Sequence, residues 1–273
     1  MFHVHAWGVP YFATLLGIKQ VYPGRYLPES LLNLIAQEKV TFSQCVPTIL
    51  HMLLTHPRAK DVDLTGLKMV IGGSALTEGL AHTALARGMD VFVGYGMSET
   101  CPIMSLSRLT REQLTQDAAA QIPLRIKTGQ AIPLVDLRIV DDNMADLPHN
   151  GSRTGEVVAR APWLTQGYLH NPAASDELWA GGYLHTNDIG MMDERGVLQI
   201  TDRLKDVIKT GGEWISSLEL ESLLTRHPAV SECAVIAIPD AKWGGRPLAL
   251  VVLKPEQQAS ADELRAPLRD FAQ

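Results

Sequence analysis

A chain of 273 residues, 46% hydrophobic and 20% charged, has enough apolar material for one large domain or two smaller ones. Its formal charge of −6 argues against general nucleic-acid binding, which needs a basic face. Three scattered cysteines, Cys45, Cys101 and Cys233, match neither a disulfide framework nor a metal-ligand spacing, so a reducing cytoplasm is the expected compartment.

The chain opens on an apolar run, residues 6–18, interrupted only by Thr14. The run is too short to cross a bilayer. It contains Gly8, Pro10 and Gly17 and follows no basic segment, so it does not read as a signal peptide. Residues 1–8 read as the end of a strand running into a helix. His3 and His5 would share one face of that strand, but no later cluster supplies the further ligands a metal site requires. The chain has no internal repeat and no low-complexity tract.

Residues 21–24 read as a strand and turn. Pro28-Glu29-Ser30 opens a helix carrying Leu31, Leu32, Leu34 and Ile35. Residues 40–46 read as a strand, and Pro47 ends it and starts a helix to residue 55. A third strand over 67–71 is followed by Gly72-Gly73-Ser74-Ala75-Leu76 and a helix over 77–87. A short apolar run over 89–93 reads as a buried strand. Such alternation predicts a parallel sheet with crossover helices, whose ligands sit at the carboxyl ends of the strands. Gly72-Gly73-Ser74-Ala75-Leu76 and Gly94-Tyr95-Gly96-Met97-Ser98-Glu99-Thr100 both fall at that edge.

The second stretch is the one around which the chain is organised. Two glycines bracket a tyrosine, which predicts a sharp turn and close approach to a ligand. Tyr95 offers a flat face to an aromatic base, Ser98 and Thr100 offer hydroxyls, and Glu99 offers a hard oxygen for Mg²⁺.

Residues 110–121 are polar and alanine-rich and read as an exposed helix. After Gly129 the period becomes two, over 134–140, 155–160 and 196–200, with turns between; this predicts a small antiparallel barrel or sheet. Residues 201–209 are dense in charge and read, as pattern alone, as an exposed amphipathic segment. A helix over 217–226, strands over 230–238 and 248–253, a turn at Pro239-Asp240 and the start of a helix over 262–271 complete the chain.

Gly94-Tyr95-Gly96-Met97-Ser98-Glu99-Thr100 resembles the YGxTE motif of the adenylate-forming superfamily of acyl-CoA synthetases, aryl-CoA ligases, luciferases and peptide-synthetase adenylation domains. Further blocks follow in that superfamily's order to about residue 255. They include residues 1–8, Gly72-Gly73-Ser74-Ala75-Leu76, residues 155–172 with Gly167-Tyr168, Gly182-Tyr183-Leu184-His185-Thr186-Asn187-Asp188, residues 201–209, and Thr210-Gly211-Gly212-Glu213-Trp214-Ile215-Ser216. The closest resemblance is to bacterial medium- and long-chain fatty acyl-CoA synthetases. It implies α/β architecture with α+β parts: a partial parallel-sheet adenylation domain, a small β-barrel-like subdomain and the start of a small C-terminal α+β domain. The domains implied are 1–204 (1–129 α/β, 130–204 mainly β) and 205–273.

The resemblance also implies residue roles. Tyr95 lies against adenine within the nucleotide motif Gly94, Gly96, Met97 and Ser98, and the backbone at Gly73 and Ser74 approaches the base. Ser98 stands where the family has a threonine on phosphate, and Glu99 holds Mg²⁺. Asp188 suits ribose hydroxyls because a carboxylate accepts two hydrogen bonds from a diol. Asn187 replaces the usual glycine before it and tolerates positive φ better than most residues. Arg203 contacts ribose or phosphate, Lys205 is the hinge, Gly211 and Gly212 border the CoA tunnel, and Trp214 closes over adenine. Lys209 joins Ser98 and Glu99 as a catalytic candidate. His3 and Trp7 border the acyl pocket, Trp7 as its gate, and residues 155–172 read as mainly structural.

A fatty acid–CoA ligase module follows, using ATP, CoA, a fatty acid and Mg²⁺ to make an acyl adenylate and then a thioester. A lipid substrate leaves transient membrane-surface association, and also a homodimer, as open expectations. Met1 resembles an internal methionine of a longer enzyme. The phosphate-cradling Gly/Ser/Thr-rich loop is expected upstream of residue 1 and the adenylating lysine beyond residue 273, so the chain alone is expected to be inactive. The rivals are a non-enzymatic binding or dimerisation module and, further back, metal-dependent hydrolysis at His3 and His5.

Overall fold

The computed structural model describes residues 7–205, 207–210 and 213–265, with backbone only for Lys209, Glu213 and Trp214. His3, His5, Gly211, Gly212 and the side chains of Lys209 and Trp214 lie outside the described residues, as do residues 1–6 of the expected N-terminal strand and the part of the expected last helix beyond residue 265.

Among the described residues, proline sets the start of α1 (Val9–Leu15), α2 (Pro28–Glu38) and α3 (Pro47–Thr55), where its missing N–H has no helical partner to lose. Between them and α4 (Glu78–Ala86) run β1 (Phe42–Cys45), β2 (Lys68–Ile71) and β3 (Asp90–Gly96). The three strands are parallel, with Ser43 beside Met69 and Met69 beside Val91. Leu32, Leu50, Met69, Ile71, Ala81, Ala84 and Val91 form the core between sheet and helices. The Thr77 hydroxyl caps α4 by accepting from the Leu80 amide at 3.4 Å.

After β3 a 3₁₀ turn over Ser98–Thr100 reverses the chain. β4 (Ile103–Leu106) therefore returns antiparallel beside β3, and β5 (Gln130–Ala131) pairs with β4, giving one mixed sheet in the order β1-β2-β3-β4-β5. The period-two segment forms a second sheet, β6 (Asp136–Val140), β7 (Gly155–Arg160), β8 (Leu184–Met192) and β9 (Leu198–Arg203), antiparallel in chain order, with α6 (Pro172–Leu178) between β7 and β8. Its core of Ile139, Val157, Leu184 and Leu198 also takes in Met104 from the first sheet. Reciprocal amide bonds between Gly129 and Leu198, at 3.0 and 2.7 Å, stitch the two sheets together. Only glycine fits there: φ is +92°, and a Cβ would stand 2.1 Å from the Leu106 carbonyl group.

The last part is smaller. β10 (Ile208–Thr210) pairs antiparallel with β11 (Glu213–Ile215), and α7 (Ser217–Thr225) packs Leu220 and Leu224 with Ile208 and Val235. β12 (Val230–Asp240) and β13 (Gly244–Leu253) form a long hairpin.

Four local expectations are corrected. Residues 21–22 form no strand, because no neighbouring strand pairs with them among the described residues. Residues 110–121 are not one helix: Asp117 accepts from the Ala120 amide at 2.8 Å, capping a new helix, α5 (Ala118–Arg125). The hairpin turn follows Asp240 rather than containing Pro239, because the Asp240 carboxylate accepts from the Lys242 and Trp243 amides, each at 2.9 Å. Residues 201–203 are not an exposed amphipathic segment. They end β9, and buried Asp202 accepts from the Ser217 amide at 2.6 Å, tying the second sheet to α7.

Candidate functional site

β3 runs further than the apolar pattern indicated, through Tyr95 to Gly96, and its glycines do not make a turn. Neither Gly94 nor Gly96 has positive φ. A Cβ on Gly96 would stand 1.8 Å from the Pro102 carbonyl oxygen, and one on Gly94 would stand 2.8 Å from Val70. The glycines are needed where β3 crosses its own continuation and its neighbour: at Gly96 the close approach is to backbone atoms of Pro102 and Ile103, and at Gly94 it is to the side chains of Val70, Ile103 and Leu106.

This crossing fixes Tyr95. Its ring and the Met97 side chain pack against the core of the second sheet. Its hydroxyl donates to Asp188 Oδ2 at 2.7 Å, across 93 residues of chain. On the other side Arg203 Nε stands 3.5 Å from Asp188 Oδ1. Asp188 and Arg203 are register partners on β8 and β9. Burial raises the Asp188 pKa above the ordinary carboxylate value, against the lowering effects of Tyr95 and Arg203. Burial, and then the Asp188 charge, push the Tyr95 phenol well above its usual range.

β8 reaches Asp188 through a bulge. Glu156 pairs with Ile189 and Val158 with His185, so Thr186, Asn187 and Asp188 oppose Val157 alone. Asn187 has φ +57°, as a residue standing in for glycine there must. Side chains replace the missing ladder. Thr186 Oγ1 donates to the Val157 carbonyl at 2.6 Å and accepts from the Asp188 amide at 3.1 Å. The Asn187 amide donates to Glu156 Oε1 at 3.1 Å.

The 3₁₀ turn after Gly96 holds the other candidates. Thr100 is fully buried; its hydroxyl donates to the Pro102 carbonyl at 2.6 Å and accepts from the Met97 amide at 2.9 Å. It is therefore a brace, and not the available hydroxyl the motif suggested. Ser98 is exposed. Glu99 Oε1 accepts from the Tyr168 hydroxyl at 2.8 Å, and the Glu99 carbonyl accepts from the Thr165 amide at 2.9 Å. The bond from its hydroxyl to the Glu99 carboxylate raises the Tyr168 pKa. Tyr168 had read as structural; only the fold shows that it reaches Glu99. Beside β3, Gly73 takes φ +82°, and a Cβ on Gly72 would meet the Gly94 carbonyl at 3.0 Å, so the two glycine-bearing loops share one edge. Ser74 is exposed there.

Lys205 stands exposed in the turn after β9, next to Leu204, whose amide donates to the Asn187 carbonyl at 2.8 Å. Lys209 and Trp214 are register partners on β10 and β11. Trp7 is 40% exposed just before α1 and is not a core residue. Among the described residues no group of three His, Cys, Asp or Glu side chains could hold a metal ion, and no helix is long and apolar enough to cross a membrane.

A tyrosine, a half-buried carboxylate and an arginine thus converge at the carboxyl edge of the parallel strands, the edge at which open α/β sheets place their ligands. By comparison with known proteins, the chain belongs to the AMP-binding enzyme family. The profile of that family matches residues 1–169, and the profile of the AMP-binding enzyme C-terminal domain matches residues 219–273. Among curated relatives, a long-chain-fatty-acid–CoA ligase of Thermus thermophilus is 44% identical over 94% of this chain and 48% of its own length. A 3-methylmercaptopropionyl-CoA ligase of Ruegeria lacuscaerulensis is 38% identical over 97% of this chain and 49% of its own. ATP-bound MatB from Rhodopseudomonas palustris superposes with a TM-score of 0.81 at 27% identity, covering 98% of this chain and 51% of that one. The chain thus spans about half the length of the relatives it matches.

Proposed function

We propose that these residues are the nucleotide-holding part of an ATP-dependent fatty acid–CoA ligase, which joins a fatty acid to AMP and passes the acyl group to CoA. The observation that carries this is the convergence of Tyr95, Asp188 and Arg203 beside the Gly73 loop. Adenine lies against Tyr95, with the backbone of Gly73, Ser74, Gly94 and Gly96 close by, and Asp188 accepts from the ribose hydroxyls. Arg203 balances the Asp188 charge and faces ribose or phosphate, and Ser98 offers its hydroxyl to phosphate. The fatty acid is favoured by the name of the Thermus relative.

Glu99 fits Mg²⁺. Tyr168 occupies one carboxylate oxygen, Oε1, and the half-buried carboxylate keeps the other as a hard donor. One or two protein carboxylates suffice for Mg²⁺, which retains waters and takes substrate phosphates. When bound, the ion neutralises phosphate charge. Tyr168 orients the carboxylate by its hydrogen bond.

Lys205, at the exposed turn between the second sheet and β10, is the hinge of the 1–204 and 205–273 units. Lys209 serves the phosphate or thioester step, Gly211 and Gly212 line the CoA path, Trp214 closes over the base, and His3 and Trp7 border the acyl chain. A lipid substrate brings the protein transiently to a membrane surface, in the cytoplasm, and a homodimer is consistent with the exposed apolar side chains Tyr11, Leu15 and Leu16.

Calorimetry with AMP tests the site: the chain binds it weakly, and Asp188→Ala abolishes binding. In a chain of the relatives' length, fatty-acid-dependent pyrophosphate release follows, and Glu99→Gln lowers it by roughly two orders of magnitude in a Mg²⁺ titration. The 273 residues alone give no acyl-CoA. Absence of AMP binding, or indifference to Glu99→Gln, overturns the assignment.

A further inference from the structure

The bulge that delivers Asp188 is three residues of β8 opposite one of β7, so its backbone has lost its ladder partners. Although Asn187 is exposed, its N–H is paired by a side chain, Glu156 Oε1, at 3.1 Å. Glu156 is itself held. Its Oε2 lies 2.9 Å from His185 Nδ1, and His185 Nε2 lies 3.0 Å from the Ala180 carbonyl. The Glu156 and His185 side chains are only 16% and 19% exposed.

The Asn187 peptide is a junction. Its amide is held by Glu156, and its carbonyl accepts from the Leu204 amide at 2.8 Å. Asp188 follows Asn187 directly, and Leu204 follows Arg203 directly. One carboxylate is therefore linked, through Asn187, to the chain next to both members of the ion pair.

We propose that Glu156, anchored by His185, is the positioning residue of the nucleotide site: it holds the Asn187 peptide so that Asp188 and Arg203 are presented together. It touches no ligand; it acts through the bulge, and its charge adds to the raising of the Asp188 pKa. This role rests on the nucleotide reading above.

Two variants separate reach from charge. Glu156→Asp keeps the charge but withdraws the carboxylate by one carbon, about 1.5 Å. Glu156→Gln keeps an oxygen at the same reach and loses the charge. The readouts are hydrogen exchange of the Asn187 amide by NMR in the free 273-residue chain, AMP affinity by calorimetry, and thermal unfolding, with Asp188→Ala alongside.

In Glu156→Asp the Asn187 amide exchanges about tenfold faster and AMP binds about tenfold more weakly, the scale of one unmade hydrogen bond to a charged group. Glu156→Gln restores most of both, whatever its effect on the unfolding midpoint. Asn187 exchange that is unchanged in Glu156→Asp overturns the proposal. So does AMP affinity that is unchanged in Glu156→Asp while Asp188→Ala abolishes it, or affinity that follows the unfolding midpoint equally in both variants. If wild type binds no AMP, the nucleotide reading fails and the role at a nucleotide site falls with it. Faster Asn187 exchange in Glu156→Asp alone would then still establish the positioning of the bulge.

Discussion

Gly96→Ala places one methyl group where the fold has least room. The new Cβ would stand 1.8 Å from the Pro102 carbonyl oxygen, 2.8 Å from its carbon and 2.9 Å from Ile103 Cα. All three are backbone atoms, so no rotamer change relieves the contact. Carbon and oxygen do not approach below about 3 Å without severe repulsion, so β4 must retreat by about 1 Å or more. That retreat strains the Gly96–Ile103 pairing and the 2.6 Å bond from buried Thr100 to the Pro102 carbonyl. Overpacking costs about 1–3 kcal/mol and a loosened buried hydrogen bond adds about 1 kcal/mol, so the expected loss is about 3 kcal/mol. Gly79→Ala is the control: Gly79 lies inside α4, without positive φ and with nothing within 4 Å of a new Cβ. It is expected to gain about 0.5–1 kcal/mol. Denaturant unfolding followed by fluorescence of Trp163 and Trp179, which pack on the second core, reads both. A Gly96→Ala variant within 1 kcal/mol of wild type, or shifted in the same direction as Gly79→Ala, would refute the crossing as the reason for the glycine.

Asp188→Asn is expected to raise stability near neutral pH while weakening AMP binding. Burial lifts the Asp188 pKa, so over the window from the ordinary carboxylate value up to the raised one the folded chain holds a proton the unfolded chain has lost. Wild-type stability falls as pH rises through that window, and the advantage of the variant must grow with it; an advantage that is constant or shrinks with pH contradicts this. Arg125→Met removes a buried guanidinium that donates to Asp90 Oδ1 at 2.6 Å and to the Val91 carbonyl at 2.8 Å. Breaking such a pair costs several kcal/mol when both partners are buried, but Asp90 is 35% exposed, so about 2 kcal/mol is expected in urea unfolding. Lys205→Pro, in a chain of the relatives' length, should change adenylation and thioester formation unequally, because proline fixes φ near −65°, roughly; equal effects in separate half-reaction assays would make Lys205 only a solvated lysine.

Sequence alone determined what depends on neighbours within a few residues. Apolar runs and helix starts at Pro28 and Pro47 gave the alternation of the first sheet, and the spacing of its two glycine loops put them at one strand edge. The period-two segments after Gly129 gave the second sheet, and the ordered motifs gave the family. The tertiary structure decided the pairings over longer distances. Tyr95 meets Asp188 across 93 residues and Tyr168 meets Glu99 across 69, and no local period encodes either contact. The glycines of β3 read as turn-makers because their composition fits a turn, but what Gly96 accommodates is the Pro102 carbonyl of the returning strand. Thr100 read as an available hydroxyl until packing buried it, and Asp202 read as one charge in a solvated run until α7 covered it. Glu156 lay in the block over residues 155–172 that read as mainly structural, and what it holds depends on a bulge on the adjacent strand. Strand register and bulges are set by packing between distant segments, and that is why the residues around the site were legible while the contacts that orient them were not.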